Sequence, residues 1–263
     1  MHNAAFAALG LDWRYVACEV EPKDLRAAIA GAQAMGFSGL NLTVPHKLLA
    51  VDMVDTLDAT ATKWGAVNTI HFTGCGSLGY NTDADAIIAA LHEDLELELR
   101  DARVLMLGAG GAGRTAALKL ASEHVAELFL VNRTASKAEE IAGEIRKQFP
   151  SVQVSTAYPE GDVDLMLNAT SLGLNPGDAL PLDESRFALK QARAVYDMIY
   201  RPAETPLLRA ARAAGCQAAN GLGMLLHQGA KAFEIWTGRT SPLEVMRRAL
   251  EENVYGQVKL KRG

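Results

Sequence analysis

The segment Gly108-Ala109-Gly110-Gly111-Ala112-Gly113 follows the apolar run Arg103-Val104-Leu105-Met106-Leu107 and leads into good helix formers from Gly113 to Ser122. A glycine-rich turn between a buried strand and a helix leaves a chain few options, because it opens a βαβ unit of a parallel sheet. Gly108 permits the tight turn, Gly110 lets backbone approach a phosphate, and Gly113 lets the helix pack closely on the strand. A helix beginning near Ala112 points its free N–H groups and positive dipole end at that phosphate. Residues Gly108, Ala109, Gly110, Gly111, Ala112 and Gly113 are thus candidate cofactor contacts.

About twenty residues further on, a dinucleotide site holding NAD places an acid that accepts hydrogen bonds from the ribose 2′-hydroxyl. This chain has Asn132-Arg133-Thr134-Ala135-Ser136-Lys137 there. A carboxylate would repel a 2′-phosphate, whereas a guanidinium forks onto it with charge-assisted bonds. The segment therefore points to NADP, with Asn132, Arg133, Thr134 and Lys137 as contacts. Leu128–Val131 is the next strand, Ser136 is placed to cap a helix running to Gln148, and further strands are expected at 152–154, 165–168 and 194–197.

The chain has 263 residues, 22% of them charged, with a formal net charge of -5. That length accommodates two modest domains, and that balance gives neither the basic patch of a nucleic-acid binder nor a polybasic membrane segment. No apolar run approaches the roughly 20 residues that span a bilayer, and Met1-His2-Asn3-Ala4-Ala5-Phe6 lacks the regions of a signal peptide. Cys18, Cys75 and Cys216 are scattered and share no metal-ligand spacing, which reads as three reduced thiols in a cytoplasmic protein with no metal site.

The first eighty or so residues mix helices and strands without a phosphate turn. Pro22–Met35 reads as a helix with Pro at its start, 39–42 as a short strand, and Pro45 as the opening of another helix. Residues 66–70 and 78–81 read as a strand pair around Gly74-Cys75-Gly76, and after Gly221 the chain reads as helices over 224–236 and 242–252. Three segments carry candidate chemistry: Asn41 to Lys47, Gly65 to Thr69, and Asn81 to Asp83. Reducing a ketone needs a hydride for carbon and a proton for oxygen, and a lysine held by a carboxylate supplies the proton. From chemistry alone two readings stand level: Lys47 and Asp83 form that pair, or Lys47 is a surface lysine and Asp83 caps a helix.

In these motifs the chain resembles the shikimate dehydrogenases along nearly its whole length. The family's Asn-x-Thr-x-Pro-x-Lys is matched by Asn41, Thr43, Pro45 and Lys47, its Gly-Ala-x-Asn-Thr by Gly65, Ala66, Asn68 and Thr69, and its Asn-Thr-Asp by Asn81, Thr82 and Asp83. Asn168 to Gly173, Tyr196 to Tyr200 with Thr205 to Leu208, and Gly221 to Leu225 with Gln228 are similar to further family segments. The resemblance implies an α/β fold of two domains. A substrate-binding and catalytic domain takes in 1–84 and the C-terminal helices of 222–263, and a Rossmann-type NADP-binding domain takes in 85–221. It implies Lys47 and Asp83 as the catalytic pair, with Thr43, Asn68, Tyr200 and Gln228 on the substrate. Thr170, Met198 and Gly221 would line the cofactor site, the last two at its nicotinamide end. The implied reaction is NADPH-dependent, reversible reduction of 3-dehydroshikimate to shikimate in aromatic amino-acid biosynthesis, by a cytoplasmic monomer or homodimer that binds a small molecule and neither nucleic acid nor membrane. Since an ordinary lysine is protonated at neutral pH, shikimate oxidation is expected to speed up as pH rises above neutral.

The chain departs from the family's pattern ahead of Met1-His2-Asn3, where that pattern has a strand and a Ser-x-Ser-Pro segment whose serines would bind the substrate carboxylate. The first expectation is a product longer at its N-terminus than this sequence; the second is a shortened paralogue with a rebuilt carboxylate site. Backbone left without the missing strand must find other partners. Two rival functions remain: a quinate/shikimate dehydrogenase of the same fold, and a non-catalytic NADP-binding paralogue.

Overall fold

The computed structural model describes residues 1–175 and 177–256; the expected C-terminal stretch from 257 to 263 lies outside the described residues. In chain order the elements are α1 (His2–Ala8), α2 (Leu25–Ala34), β1 (Gly39–Asn41), α3 (His46–Leu49), β2 (Thr56–Leu57), α4 (Ala59–Trp64), β3 (Thr69–Thr73), β4 (Gly76–Tyr80) and α5 (Asp83–Leu95). There follow β5 (Arg103–Leu107), α6 (Gly111–Ser122), β6 (Glu127–Val131), α7 (Ala135–Gln148), β7 (Gln153–Ser155), β8 (Val163–Asn168), β9 (Ala192–Asp197), α8 (Pro206–Ala213), β10 (Gln217–Asn220), α9 (Leu222–Thr237) and α10 (Leu243–Tyr255). The described residues form two compact units, 1–86 with 226–256 and 87–225, and the division falls inside α5 and inside α9.

The larger unit is built on a six-stranded sheet in the order β10-β9-β8-β5-β6-β7, with every neighbouring pair parallel. Numbered from β5, this is the 3-2-1-4-5-6 arrangement of dinucleotide-binding sheets, whose order reverses between β5 and β8. Ligands of such sheets lie at that reversal, beyond the carboxyl ends of the strands. Val104, Leu105, Met106 and Leu107 of β5 are all buried, as a central parallel strand covered on both faces requires. Leu105, Met166, Val195, Phe187, Leu207 and Leu208 belong to one core cluster, so α8 packs on the same strands that carry the site. Thr205 caps α8 by accepting the Leu208 N–H at 3.2 Å, with Pro206 in the first turn.

The other unit has a four-stranded sheet in the order β1-β3-β4-β2, antiparallel except for the β2–β4 pair. Leu25, Ile29 and Ala32 recur at helical spacing on α2 and are buried; Leu25 and Ile29 join Val67 and Ile70 in the core. The expected helix from Pro22 begins instead as a 3₁₀ turn, Pro22–Asp24, and becomes α-helical at Leu25. From the C-terminal part of the chain, the Trp236 indole donates to the Ile70 carbonyl at 2.9 Å. The strand expected at 66–70 starts at Thr69, because Ala66, Val67 and Asn68 bend to bring backbone onto Lys47 and Tyr80: Val67 N–H donates to Lys47 O at 2.8 Å and Asn68 N–H to Tyr80 O at 3.0 Å.

β1 is an edge strand. A groove of about 680 Å³ runs beside it, lined by the extended residues 14–16 and 18–20, by α2, and by Leu40, Asn41 and Leu42. Tyr15 and His46 make the polar links there: the Tyr15 hydroxyl donates to Asn41 Oδ1 at 3.1 Å, and the His46 ring pairs with Val20 O at 3.0 Å.

Candidate active site

Lys47 lies on α3 and Asp83 at the first residue of α5, thirty-six positions apart in sequence, and the Lys47 ammonium meets Asp83 Oδ2 at 2.8 Å. Both side chains are mostly buried without being sealed, with 26% and 11% exposure. The reading of Asp83 as a helix cap is corrected by its neighbour. The Asn81 side chain accepts the N–H groups of Asp83 at 3.1 Å and Ala84 at 3.2 Å, and so satisfies the start of α5. Asn81 Nδ2 also donates to Ala66 O at 3.1 Å, tying the Gly65–Thr69 segment to the same corner. With the helix start satisfied, the Asp83 carboxylate is left for the lysine.

Asn68 is buried and engages Thr82 through both ends of its amide, accepting the Thr82 N–H at 2.8 Å and donating Nδ2 to Thr82 Oγ1 at 2.9 Å. Thr82 in turn donates to the carbonyl of Gln228 on α9 at 3.0 Å. One threonine thereby gathers Asn68, Gln228 and, by chain adjacency, Asp83. Thr43 is exposed, and its carbonyl accepts the His46 N–H at 2.8 Å just ahead of Lys47.

In the other unit, the glycine turn leaves β5 at Gly108, whose φ of +105° is open to glycine and strained for other residues. A Cβ at Gly113 would stand 2.6 Å from the Gly108 carbonyl, so that position also needs its hydrogen. At Gly110 and Gly111 an added Cβ would meet nothing within 4 Å, which leaves backbone facing open space. α6 starts at Gly111, earlier than expected, and its first intrahelical bond is Arg114 N–H to Gly110 O at 2.7 Å. The amides before Arg114 are thus the unpaired donors of a helix start, a cradle that fits a dinucleotide pyrophosphate. Arg133, just past β6, and Lys137, in the first turn of α7, are exposed and, among the described residues, form no ion pair. Ser136 does not cap α7; Thr134 holds that position and makes no side-chain cap bond.

The turns after β8 and β9 carry the remaining candidates. Thr170 is folded onto Asn168 by its hydroxyl at 2.8 Å and its N–H at 3.0 Å. Met198 N–H donates to Asn168 O at 2.9 Å, Gly221 N–H to Ile199 O at 3.2 Å, and a Cβ at Gly221 would run into the Met198 backbone. Tyr200 is 38% exposed.

Three family models match successive stretches of the chain: the shikimate dehydrogenase substrate-binding domain over 1–70, shikimate/quinate 5-dehydrogenase over 90–171, and the shikimate 5′-dehydrogenase C-terminal domain over 221–251. A shikimate dehydrogenase (NADP(+)) of Methanopyrus kandleri is 39% identical over 262 residues, covering 97% of this chain and 90% of its own. The chain belongs to the shikimate dehydrogenase family. Among solved structures, a shikimate dehydrogenase in complex with NADP+ has a TM-score of 0.87 at 37% identity, covering 96% of this chain and 89% of its own. A 5-ketofructose reductase of a Gluconobacter species has a TM-score of 0.84, also at 37% identity, with 96% and 92% coverage.

Within the shikimate dehydrogenase fold, Asn132 does a task that sequence spacing did not reveal. Its Oδ1 accepts the Ala109 N–H at 3.1 Å and its Nδ2 donates to Thr134 O at 2.9 Å, so it braces the glycine turn against the segment bearing Arg133. Asn81, Thr82, Asn168, Asp197 and Thr205 were likewise missed as organisers. The signal was present, since each is a small polar residue at the end of a strand or the start of a helix inside a recognised motif, but the partner of such a residue is fixed only in three dimensions.

Proposed function

We infer that this chain reduces 3-dehydroshikimate to shikimate with NADPH, reversibly, as an oxidoreductase of aromatic amino-acid biosynthesis. The Lys47–Asp83 pair carries the reading, because a chain that only binds cofactor has no use for a lysine held at 2.8 Å by a carboxylate freed from capping duty. When bound, the reduced nicotinamide supplies a hydride to the carbonyl carbon. Lys47 Nζ then donates its proton to the carbonyl oxygen, and Asp83 holds the ammonium in place and steadies its charge. In shikimate oxidation the same amine, once neutral, takes the hydroxyl proton. Thr43, Asn68, Tyr200 and Gln228 bind the substrate's oxygens in this reading. The Gly108–Gly113 turn holds the pyrophosphate, Arg133 and Lys137 hold the 2′-phosphate with Asn132 and Thr134 shaping their segment, and Thr170, Met198 and Gly221 line the cofactor site, the last two at its nicotinamide end. In this reading the enzyme works in the cytoplasm as a monomer or homodimer. Among the described residues no helix is long and apolar enough to cross a membrane.

A second reading, a related polyhydroxylated ketone as substrate, is favoured by one observation: the Gluconobacter relative is named for 5-ketofructose at the same identity as the shikimate dehydrogenase structure. Rates with 3-dehydroshikimate, 3-dehydroquinate and 5-ketofructose, each with NADPH and NADH, separate the readings. The expected result is highest kcat/KM for 3-dehydroshikimate with NADPH. A larger value for either of the other ketones would overturn the substrate assignment while leaving the chemistry of Lys47 intact.

A further inference from the structure

Asp197 ends β9 with no exposed surface, and among the described residues it forms no ion pair. Three donors converge on it: Asn168 Nδ2 at 3.0 Å and Ile199 N–H at 3.1 Å on Oδ1, and the Thr205 hydroxyl at 2.7 Å on Oδ2. Burial pushes its carboxyl above the usual carboxylate range, while the bonds from Thr205, Ile199 and Asn168 pull the other way. A buried carboxylate without a cation is costly, and this one has no place in the proton transfer.

Its partners lie on separate pieces of chain. Asn168 ends β8 and, through its own Oδ1, holds the Thr170 N–H and hydroxyl; its Nδ2 also reaches Leu172 O at 3.3 Å. Ile199 lies in the turn that carries Met198 and Tyr200, and its carbonyl receives the Gly221 N–H. Thr205 is fully buried and caps α8. We propose that Asp197 is a positioning residue for the cofactor: by gathering these three donors it fixes the turns after β8 and β9, and thereby the wall against which the nicotinamide rests. The inference rests on the reading that Met198 and Gly221 form that wall, with Thr170 beside it in the cofactor site.

Topology makes the effect one-sided. β8 and β9 lie on one side of β5, and β6, which carries the adenosine-end segment from Asn132 to Lys137, lies on the other. An asparagine at 197 is nearly isosteric, but its amide turns one acceptor into a donor. It then opposes the Asn168 and Ile199 donors, or leaves the Thr205 hydroxyl proton without a target.

The test compares, by calorimetric titration, binding of NADP+ and of 2′,5′-ADP, which carries the adenosine 2′-phosphate but no nicotinamide. Asp197→Asn is expected to weaken NADP+ about tenfold or more and to change 2′,5′-ADP less than about twofold, on a scale where tenfold is 1.4 kcal/mol. Thr205→Val, which removes this donor and with it the cap of α8, is expected to shift NADP+ alone in the same direction. Thr205→Ser, which keeps the hydroxyl, restores wild-type affinity, and this pair decides the matter should Asp197→Asn not fold. Equal losses for both ligands, or no loss for either, would overturn the proposal. Met198→Arg separates the two inferences. If it leaves NADP+ binding unchanged, the wall itself is misplaced and the role of Asp197 falls with it. If it weakens NADP+ selectively while Asp197→Asn does not, the wall stands and Asp197 is no part of its positioning.

Discussion

A carboxylate at the start of a helix ordinarily accepts the backbone N–H groups there, and such caps contribute about 1 kcal/mol. At α5 that task belongs to Asn81, two residues earlier, and the division of labour is what makes Asp83 available to Lys47. The sequence showed both residues and the pattern Asn-Thr-Asp, but not which of them capped, since a one-residue shift in helix start reverses the roles. His2 carries another residue-scale consequence. It is buried against Tyr15 and near Trp236, with ring centroids 4.4 Å and 5.5 Å away, and burial lowers its pKa to about 4 from 6.5, with the charge of the N-terminus adding to this. Below pH 6.5 the unfolded chain takes up a proton that the folded chain refuses until about pH 4. The stabilisation that the neutral His2 contributes is therefore full above 6.5 and falls by about 3 kcal/mol as pH drops through that window. Urea unfolding of His2→Phe and the unsubstituted protein between pH 4 and 7 checks it. The variant is expected to lose less stability on acidification, and parallel pH profiles would show that the His2 ring takes up its proton equally in both states.

At the scale of elements, the β5–turn–α6 unit was legible to within about two residues, because strand burial admits only apolar residues and the positive φ at Gly108 and the contact at Gly113 each leave only glycine. α7 was legible in extent but not in its cap, since Ser136 and Thr134 have similar chemistry and the observed start uses neither side chain. β10, Gln217-Ala218-Ala219-Asn220, was not foreseen at all: it has no apolar alternation of its own and exists through its register with β9. In the proposed reading the segment after β6 bears the coenzyme preference. Arg133→Ala is expected to weaken NADP+ about tenfold to a hundredfold, the worth of a charge-assisted bond, and to leave NAD+ nearly unchanged. Equal loss for both coenzymes, measured as KM, would remove Arg133 from the 2′-phosphate. Gly108→Ala forces a side chain into a positive φ with the Ala169 backbone 2.9 Å from its Cβ, and a fall of several degrees in Tm is expected. An unchanged Tm would show that the turn relaxes freely.

For the whole molecule, the alternation of apolar runs and amphipathic stretches gave the parallel sheet by the rule that strands joined through helices run parallel, while its order is seen only in the structure. The mixed sheet of the other unit followed no such rule. Its short strands, and the closing of residues 226–256 into the same unit as 1–86, depend on packing such as Trp236 on Ile70 that no local pattern announces. Cofactor and substrate groups accordingly differ in how they are specified: a continuous strand–turn–helix for the first, scattered single residues at the ends of elements for the second. The central claim, that Lys47 is the proton donor in the reduction of 3-dehydroshikimate by NADPH, is tested most directly by Lys47→Ala, with kcat measured beside the Kd for NADP+. The expected result is a loss of about a hundredfold to ten-thousandfold in kcat with the NADP+ affinity within about twofold of the unsubstituted protein. A kcat retained within a few-fold would contradict it.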